Sequence, residues 1–410
     1  MAIFVAIAAY RDADLVPTLA DCLARARWPG DLRFGICWQH ALGDPPPPDD
    51  PRIRRIDVPW QESGGACWAR DQAFSLWDGE AHLFQIDSHH RFVDGWDALL
   101  LAQADASGAA RPLLTTYAQG FDPEQPDPVT GSPTVMQLGG FTDRGIPHFA
   151  QAARPEWVGG PPRRARFLSG HFLFTLGRFV ADVPYDPQLY FIGEEISLAL
   201  RAFTHGYDLF HPSAHVMWHE YTRRQRVMHW TDHDAAARDA ASLDRVNQLL
   251  AGQLDGQCGL GEARSLAEYE DYAGVQFGVR RASASAHRGL EPAPPPPPGR
   301  GVSSHPRPWQ VDLEIAREAL CAAALDHPAF WYLAFHDAAG VEVARADVSA
   351  AELHAQLRTG GDQIRLGRRF LAARPPVRWT IHPTDRHRRW LDPMSGAVDF
   401  ARAGREQGAP

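Results

Sequence analysis

The sequence predicts an α/β domain followed by a small β-rich domain, and three observations carry that prediction. Apolar runs of strand length alternate with amphipathic helical stretches through the first half. One of those runs, Leu83-Phe84-Gln85-Ile86, ends abruptly in Asp87-Ser88-His89-His90-Arg91-Phe92. A proline-rich tract, with Pro294 to Pro298 inside it, then separates this half from a stretch with hairpin-like patterning.

Residues 3 to 8 are apolar without alternation, as a strand buried on both faces should be. Asp14 to Arg27 reads as a helix with Leu15, Leu19, Leu23 and Ala26 on one face. Leu32 to Trp38 is a second strand, Pro45 to Pro48 a loop and Ile53 to Val58 a third strand. Ala66 to Trp77 is a helix that leads into the strand ending at Asp87. Strand, helix, strand, strand, helix, strand is the order of an α/β nucleotide-binding domain, whose ligands gather at the carboxyl ends of strands. Tyr10-Arg11-Asp12 and Asp87 both lie at such ends.

Trp96 to Ala106 follows as a helix and Pro112 to Tyr117 as a strand. Gln119 to Pro162 is rich in Gly and Pro with little periodicity, and reads as a long excursion over the active-site face. Beyond it come a strand at Phe167 to Leu176, a turn at Tyr185-Asp186-Pro187 and a helix at Glu194 to Phe203. Asp208 to Trp218 reads as one extended run, and Met228 to Gln253 and Ser265 to Ala273 as helical. The expected domains are therefore residues 1–282, a linker at 283–308 and a β-rich domain at 309–410. In the last, Phe330 to His336 and Val341 to Ala344 flank Asp337-Ala338-Ala339-Gly340 as a hairpin, and Gln363 to Leu366 and Val377 to Ile381 add strands.

A chain of 410 residues with 44% apolar and 10% aromatic content supports real cores. Its net charge of −9 and pI near 6.1 argue against a nucleic-acid partner, although Arg163-Arg164-Ala165-Arg166 is a local cluster suited to phosphate. The absence of lysine, beside abundant Ala, Gly, Pro and Arg, points to a GC-rich, bacterial coding source. Five scattered cysteines without a C-x-x-C pair predict reduced thiols. The apolar start is too short to span a bilayer and has no basic flank, so the expected location is the cytoplasm, with no transmembrane segment.

Strand side chains alternate, so Asp87 and His89 project to one side where the strand gives out. A carboxylate oxygen and an imidazole nitrogen placed together suit a hard divalent cation such as manganese or magnesium. Glu194 and Glu195 open a helix, where the macrodipole favours acids.

Five segments, Ala8-Ala9-Tyr10-Arg11-Asp12, Gly65-Ala66-Cys67-Trp68-Ala69-Arg70, Gln85 to Phe92, Tyr190-Phe191-Ile192-Gly193-Glu194-Glu195 and His219-Glu220-Tyr221, occur in the order expected of one enzyme family. Over roughly residues 1 to 225 the chain resembles the N-acetylglucosaminyltransferases that include the cytosolic enzyme modifying hydroxyproline in an F-box adaptor. Its D-x-H, G-E-E helix and later His are also similar to those of the polypeptide N-acetylgalactosaminyltransferases.

That resemblance implies a GT-A, Rossmann-like fold, a UDP-sugar donor, a divalent metal, most simply Mn2+ with Mg2+ as the other choice, and retention of anomeric configuration. It makes Asp87 and His89 the first two metal ligands and His219 the third. His211 and His215 are rivals for the third place, since all three lie in one strand-like segment and His215 shares parity with His219. Tyr10, Arg11 and Asp12 fall where the fold receives uracil and ribose, with Asp12 alternatively capping the next helix. Arg70 and Ser88 are assigned to the donor, with a structural ion pair as the other use of Arg70. Glu194 and Glu195 face donor sugar and acceptor, Glu194 being favoured. Arg91 either contacts phosphate or pairs with Asp94 or Asp97, and His90 has no assigned role.

The expected function is transfer of a sugar, GlcNAc first, from UDP to a hydroxyl of a protein or glycan. The alternatives are a polysaccharide-building transferase with another UDP-hexose and an inactive sugar-nucleotide or glycan-binding module. The last domain offers Trp331, Tyr332, Trp379 and Trp390 either to a carbohydrate groove or to its own core.

Overall fold

The computed structural model describes residues 2–124, 131–224, 226–298, 307–337, 340–358, 360–372 and 376–398. The first apolar run, Ile3–Tyr10, is β1, an interior strand of an eight-stranded sheet. Its side chains divide between two cores: Ile3, Val5, Ile7 and Ala9 on one face, Phe4 and Ala6 on the other. Burial on both faces is why the run lacks polar alternation. Beside it lie β2 (Leu32–His40) and β3 (Ile53–Pro59) on one flank and β4 (His82–Asp87) on the other, all parallel. Ala8 lies opposite Asp87, so Tyr10 and Asp87 end at one edge of the sheet.

One face is covered by the helices Leu15–Arg25 and Trp96–Ala106, which contribute Leu15, Leu19, Cys22, Trp96 and Leu100. The other is covered by Ala66–Phe74 and Glu194–Thr204, through Ala69, Ala73, Phe74, Ile196 and Leu200. Gly65 starts the helix of Arg70 at φ +105°, and a Cβ there would lie 2.3 Å from the Tyr190 ring. Only glycine permits both the conformation and the approach. The expected mixed α/β architecture with a large central sheet is present.

After β4 the chain turns through Ser88 and His89 into β5 (His90–Phe92), which leaves the central sheet. β6 (Pro112–Thr115) returns to it, while β7 (Gln119–Phe121) does not. Residues 119–162, expected to be irregular, also contain a hairpin of β8 (Thr134–Phe141) and β9 (Pro147–Ala153). A register slip between Leu138 and Gly140 interrupts the alternation that would have revealed it. β10 (Arg163–Arg164), β11 (Phe172–Leu176) and β12 (Asp208–His211) complete the large sheet.

The expected single run from Asp208 to Trp218 is a correction. β12 stops at His211 because Pro212 brings no N–H to the ladder, and the chain re-forms as β13 (Met217–Glu220) in a second sheet with β5 and β7. His211, His215 and His219 therefore do not share a strand. The helix expected over Met228 to Gln253 is Ala235–Leu250, preceded by a single turn at His229–Asp232.

The chain divides into compact units at 1–301 and 302–410. Residues 283–298, expected to be linker, belong to the first unit: Arg166 donates to Leu290 O at 2.8 Å, Arg264 to Pro296 O at 3.0 Å, and Glu291 accepts from the Arg164 amide. Arg163, Arg164 and Arg166 thus fasten this segment, and Arg164 also lies over the Phe210 ring. Residues 299–306 of that expected linker lie outside the described residues. In the second unit Arg307–Ala316 pairs with Gln363–Ala372, and Phe330–His336 with Glu342–Arg345 and Arg378–Pro383. A helix at Ala350–Arg358, absent from the sequence expectation, packs Leu353 into the core with Trp331 and Phe335. Trp331 is fully buried, Trp379 packs against that core, and Trp390 is exposed. No helix among the described residues is long and apolar enough to cross a membrane.

Candidate active site

The site grows from the turn after β4. The Thr18 hydroxyl, on the buried face of its helix, donates to Ser88 O at 2.9 Å and accepts from the His90 amide at 3.0 Å, which pins the turn. Asp87 and His89 then face one another across it. β13 runs antiparallel to β5, with His219 opposite His90, and the Glu220 amide donates to His89 O. This pairing carries His219 to the D-x-H turn, 130 residues away from His89 in sequence.

Asp87, His89 and His219 each offer a ligand atom within 4.8 Å of the others, the one such group of three among the described residues. His219 Nε2 lies 3.2 Å from Asp87 Oδ2 and 3.1 Å from His89 Nε2. Burial alone would raise the Asp87 carboxyl, but Arg70, His219 and His89 together hold it well below the usual range. Burial keeps His219, and likewise His90 and His171, well below the ordinary imidazole value, so the rings stay neutral; the His171 lone pair is taken by the Ala118 amide at 3.1 Å. One carboxylate oxygen and two imidazole nitrogens, converging at a strand end, are a donor set that fits a divalent cation.

The rival histidines are occupied elsewhere. His211 Nδ1 is bonded to Thr115 O at 2.7 Å and its Nε2 accepts from the Met136 amide. His215 packs on the Trp218 ring with centroids 4.3 Å apart. His90 binds Asp87 O through Nδ1 and its ring lies 4.9 Å from that of His219.

Behind the triplet lies a buried polar network. Arg70 donates to Asp87 Oδ1 at 2.8 Å and to Gly170 O, and its Nε lies 3.0 Å from Glu194 Oε1. Tyr185 donates to Glu194 at 2.7 Å, and burial raises this carboxyl. Glu195, less buried, accepts from Tyr117 at 2.5 Å and from the Gly170 amide at 3.0 Å. Burial pushes Glu195 up to about 7. The structure therefore engages Arg70 in the ion pair that was its alternative use, and encloses Glu194 more than Glu195.

In front of the triplet is a cleft of about 150 Å³, bordered by Tyr10, Asp87, His219, Arg223, Arg226 and Trp230. Arg226 lies against His89 Nε2 and donates to Glu220 O at 2.9 Å. Tyr10 and Arg11 both donate to Asp232, at 2.9 and 2.8 Å, and Arg11 also covers the Trp60 ring. Asp12 and Ser88 turn toward His89: Asp12 Oδ2 accepts from His89 Nδ1 at 2.7 Å and from the Ser88 hydroxyl at 2.6 Å. Arg91 pairs with Asp14, a correction to its expected partners: Asp94 is held by Arg25, and Asp97 accepts from the Arg27 and Trp28 amides. Sequence reasoning missed Thr18, Tyr117, Tyr185, Arg223, Arg226 and Asp232. The arginines had a visible signal, a basic stretch immediately after His219.

A family model described as Glycosyltransferase (GlcNAc) matches residues 2–51 and 49–258. No curated protein sequence matches the chain. Among solved structures, GalNAc-T7 with UDP, GalNAc and Mn2+ is similar at 15% identity and a TM-score of 0.44, covering 66% of this chain and 49% of that one. The chain thus spans about half the length of GalNAc-T7. S. aureus TarS 1–349 with UDP-GlcNAc is similar at 12% identity and a TM-score of 0.39, covering 66% and 71%.

Proposed function

Since the chain belongs to the Glycosyltransferase (GlcNAc) family, we propose that its first unit transfers GlcNAc from UDP-GlcNAc to a hydroxyl of a protein or glycan, with retention and with a divalent metal. The observation that carries this reading is the convergence of Asp87, His89 and His219 at the mouth of the cleft. These three would hold the cation, manganese first. When bound, it supplies positive charge that offsets the charge developing on a departing diphosphate.

The chain's own residues supply the rest. Arg223 and Arg226 border the cleft with guanidinium groups suited to diphosphate oxygens. Tyr10 offers a ring at the end of β1 for the uracil to stack on. Phe191, Val227 and Trp230 narrow the cleft with apolar surface, which limits water around the donor. Arg70 holds Asp87 and Glu194 in place, so these carboxylates act from fixed positions. Glu195, the less buried of the pair and the one poised near neutrality, is better suited than Glu194 to meet a sugar or acceptor hydroxyl. Cytoplasmic residence fits this reading and the reduced cysteines.

Calorimetric titration of UDP-GlcNAc and competing nucleotide sugars, with manganese and then with chelator, tests the reading. Manganese-dependent binding that prefers UDP-GlcNAc is expected. Failure of every nucleotide sugar to bind in manganese would remove it.

A further inference from the structure

We propose that Asp12 is a positioning residue for His89, holding that ring in the tautomer and orientation a metal ligand requires; this rests on the metal reading above. Its place after β1 suggests a nucleotide contact, but its carboxylate is directed elsewhere. It is buried to 9% exposure, Oδ1 accepts from the Asp14 amide at 2.9 Å, and Oδ2 accepts from both Ser88 Oγ and His89 Nδ1.

The proton on His89 can be assigned from the carboxylate beside its ring. An ionised carboxylate only accepts, so Asp12 Oδ2 beside Nδ1 makes that nitrogen the donor. The ring proton therefore sits on Nδ1 and points at Asp12, 2.7 Å away. Nε2 then carries the lone pair, with Asp87 Oδ2 at 3.5 Å, His219 Nε2 at 3.1 Å and the Arg226 guanidinium beside it. A carboxylate on the far nitrogen fixes ring orientation and strengthens the near nitrogen as a ligand. Ser88 contributes indirectly, since its hydroxyl holds the same Asp12 oxygen and its carbonyl is held by Thr18.

The experiment uses the full chain. Manganese is titrated in the presence of UDP and free ion is read by electron paramagnetic resonance, for the parent, Asp12→Asn, Ser88→Ala and Asp87→Asn. Histidine-labelled protein without metal reports the His89 tautomer by nitrogen NMR. The expected result is a ~10–100-fold weaker manganese Kd for Asp12→Asn, a smaller loss for Ser88→Ala, and an Nδ1–H tautomer in the parent that becomes mixed in Asp12→Asn. Parent-like manganese binding and an unchanged tautomer in Asp12→Asn would overturn the proposal alone. So would loss of UDP affinity measured without metal, which marks a direct donor contact. A parent that binds no more manganese than Asp87→Asn would remove the metal reading, and this inference with it. Should Asp12→Asn lose its cooperative melt, the parent decides, because an Nε2–H tautomer at His89 contradicts the assigned role.

Discussion

His211 and His219 lie eight residues apart on strands of two different sheets, and their fates differ because their surroundings do. On β12 of the large sheet, both nitrogens of His211 are bonded to backbone groups, Thr115 O and the Met136 amide, and the ring is a satisfied part of the core. In the three-stranded sheet, His219 Nδ1 has no hydrogen-bond partner among the described residues, and Nε2 faces Asp87 and His89. Burial lowers the basicity of both rings, so burial does not separate them. What separates them is whether the remaining lone pair is already spent on a backbone donor. A buried histidine is a candidate ligand only when its lone pair converges with others.

The change expected to have the largest effect bears on that convergence. Asp87→Asn leaves the turn nearly isosteric but removes the charge shared by Arg70, His89 and His219; manganese-dependent release of UDP from UDP-GlcNAc should fall on the order of 10²–10³-fold. Retained activity would detach the three-stranded sheet from the chemistry. Next is the pH dependence of the network behind the triplet. The folded protein holds the Glu195 proton more tightly than the unfolded chain, so its contribution is fully present below about pH 4.5 and is lost as pH rises through about 7. The buried histidines, held below their ordinary value, act in the opposite direction over the same range in parent and variant alike, so the Glu195 share is read as a difference: between about pH 4.5 and 7 the parent should lose about 3 kcal/mol relative to Glu195→Gln in urea melts at stepped pH.

The two histidines can be contrasted directly. His211→Ala should cost about 1–3 kcal/mol of folding stability, because it leaves buried backbone groups unpaired, while manganese affinity stays at the parent value. His219→Ala should do the reverse, weakening manganese at least ~10-fold with a smaller shift in Tm. Matching losses from both would erase the distinction drawn here. The smallest effect is expected from Thr18→Val, which removes the hydroxyl between Ser88 and His90 at a cost of about 1 kcal/mol, measured by denaturant unfolding.

Part of this site could be read from residues alone. Asp87 and His89 are two apart at the end of an apolar run, so strand alternation places them on one side without any tertiary information. The glutamates follow Gly193 at a helix start, which is also a local signal. The third member was legible as a residue type but not as a position, since Asp208 to Trp218 has no local mark of a change of sheet beyond Pro212. Asp12 and Arg70 were legible as polar groups at the right strand and helix, yet their partners His89 and Glu194 lie far along the chain. Hydrogen bonds at such separation leave no trace in periodicity.

Sequence by itself determined the α/β order of the first unit, its two-faced apolar strands, the D-x-H turn and four of the strands of the second unit, though not Arg307–Ala316. These follow from local rules: side-chain period, turn chemistry and the missing N–H of proline. Only the tertiary structure decided which histidine joins Asp87 and His89, that residues 283–298 pack as part of the first unit, and that the Asp12 carboxylate is bonded to the His89 ring. Those outcomes depend on strand pairing and on which buried polar groups find partners, and both are set by contacts between residues that sequence order keeps apart.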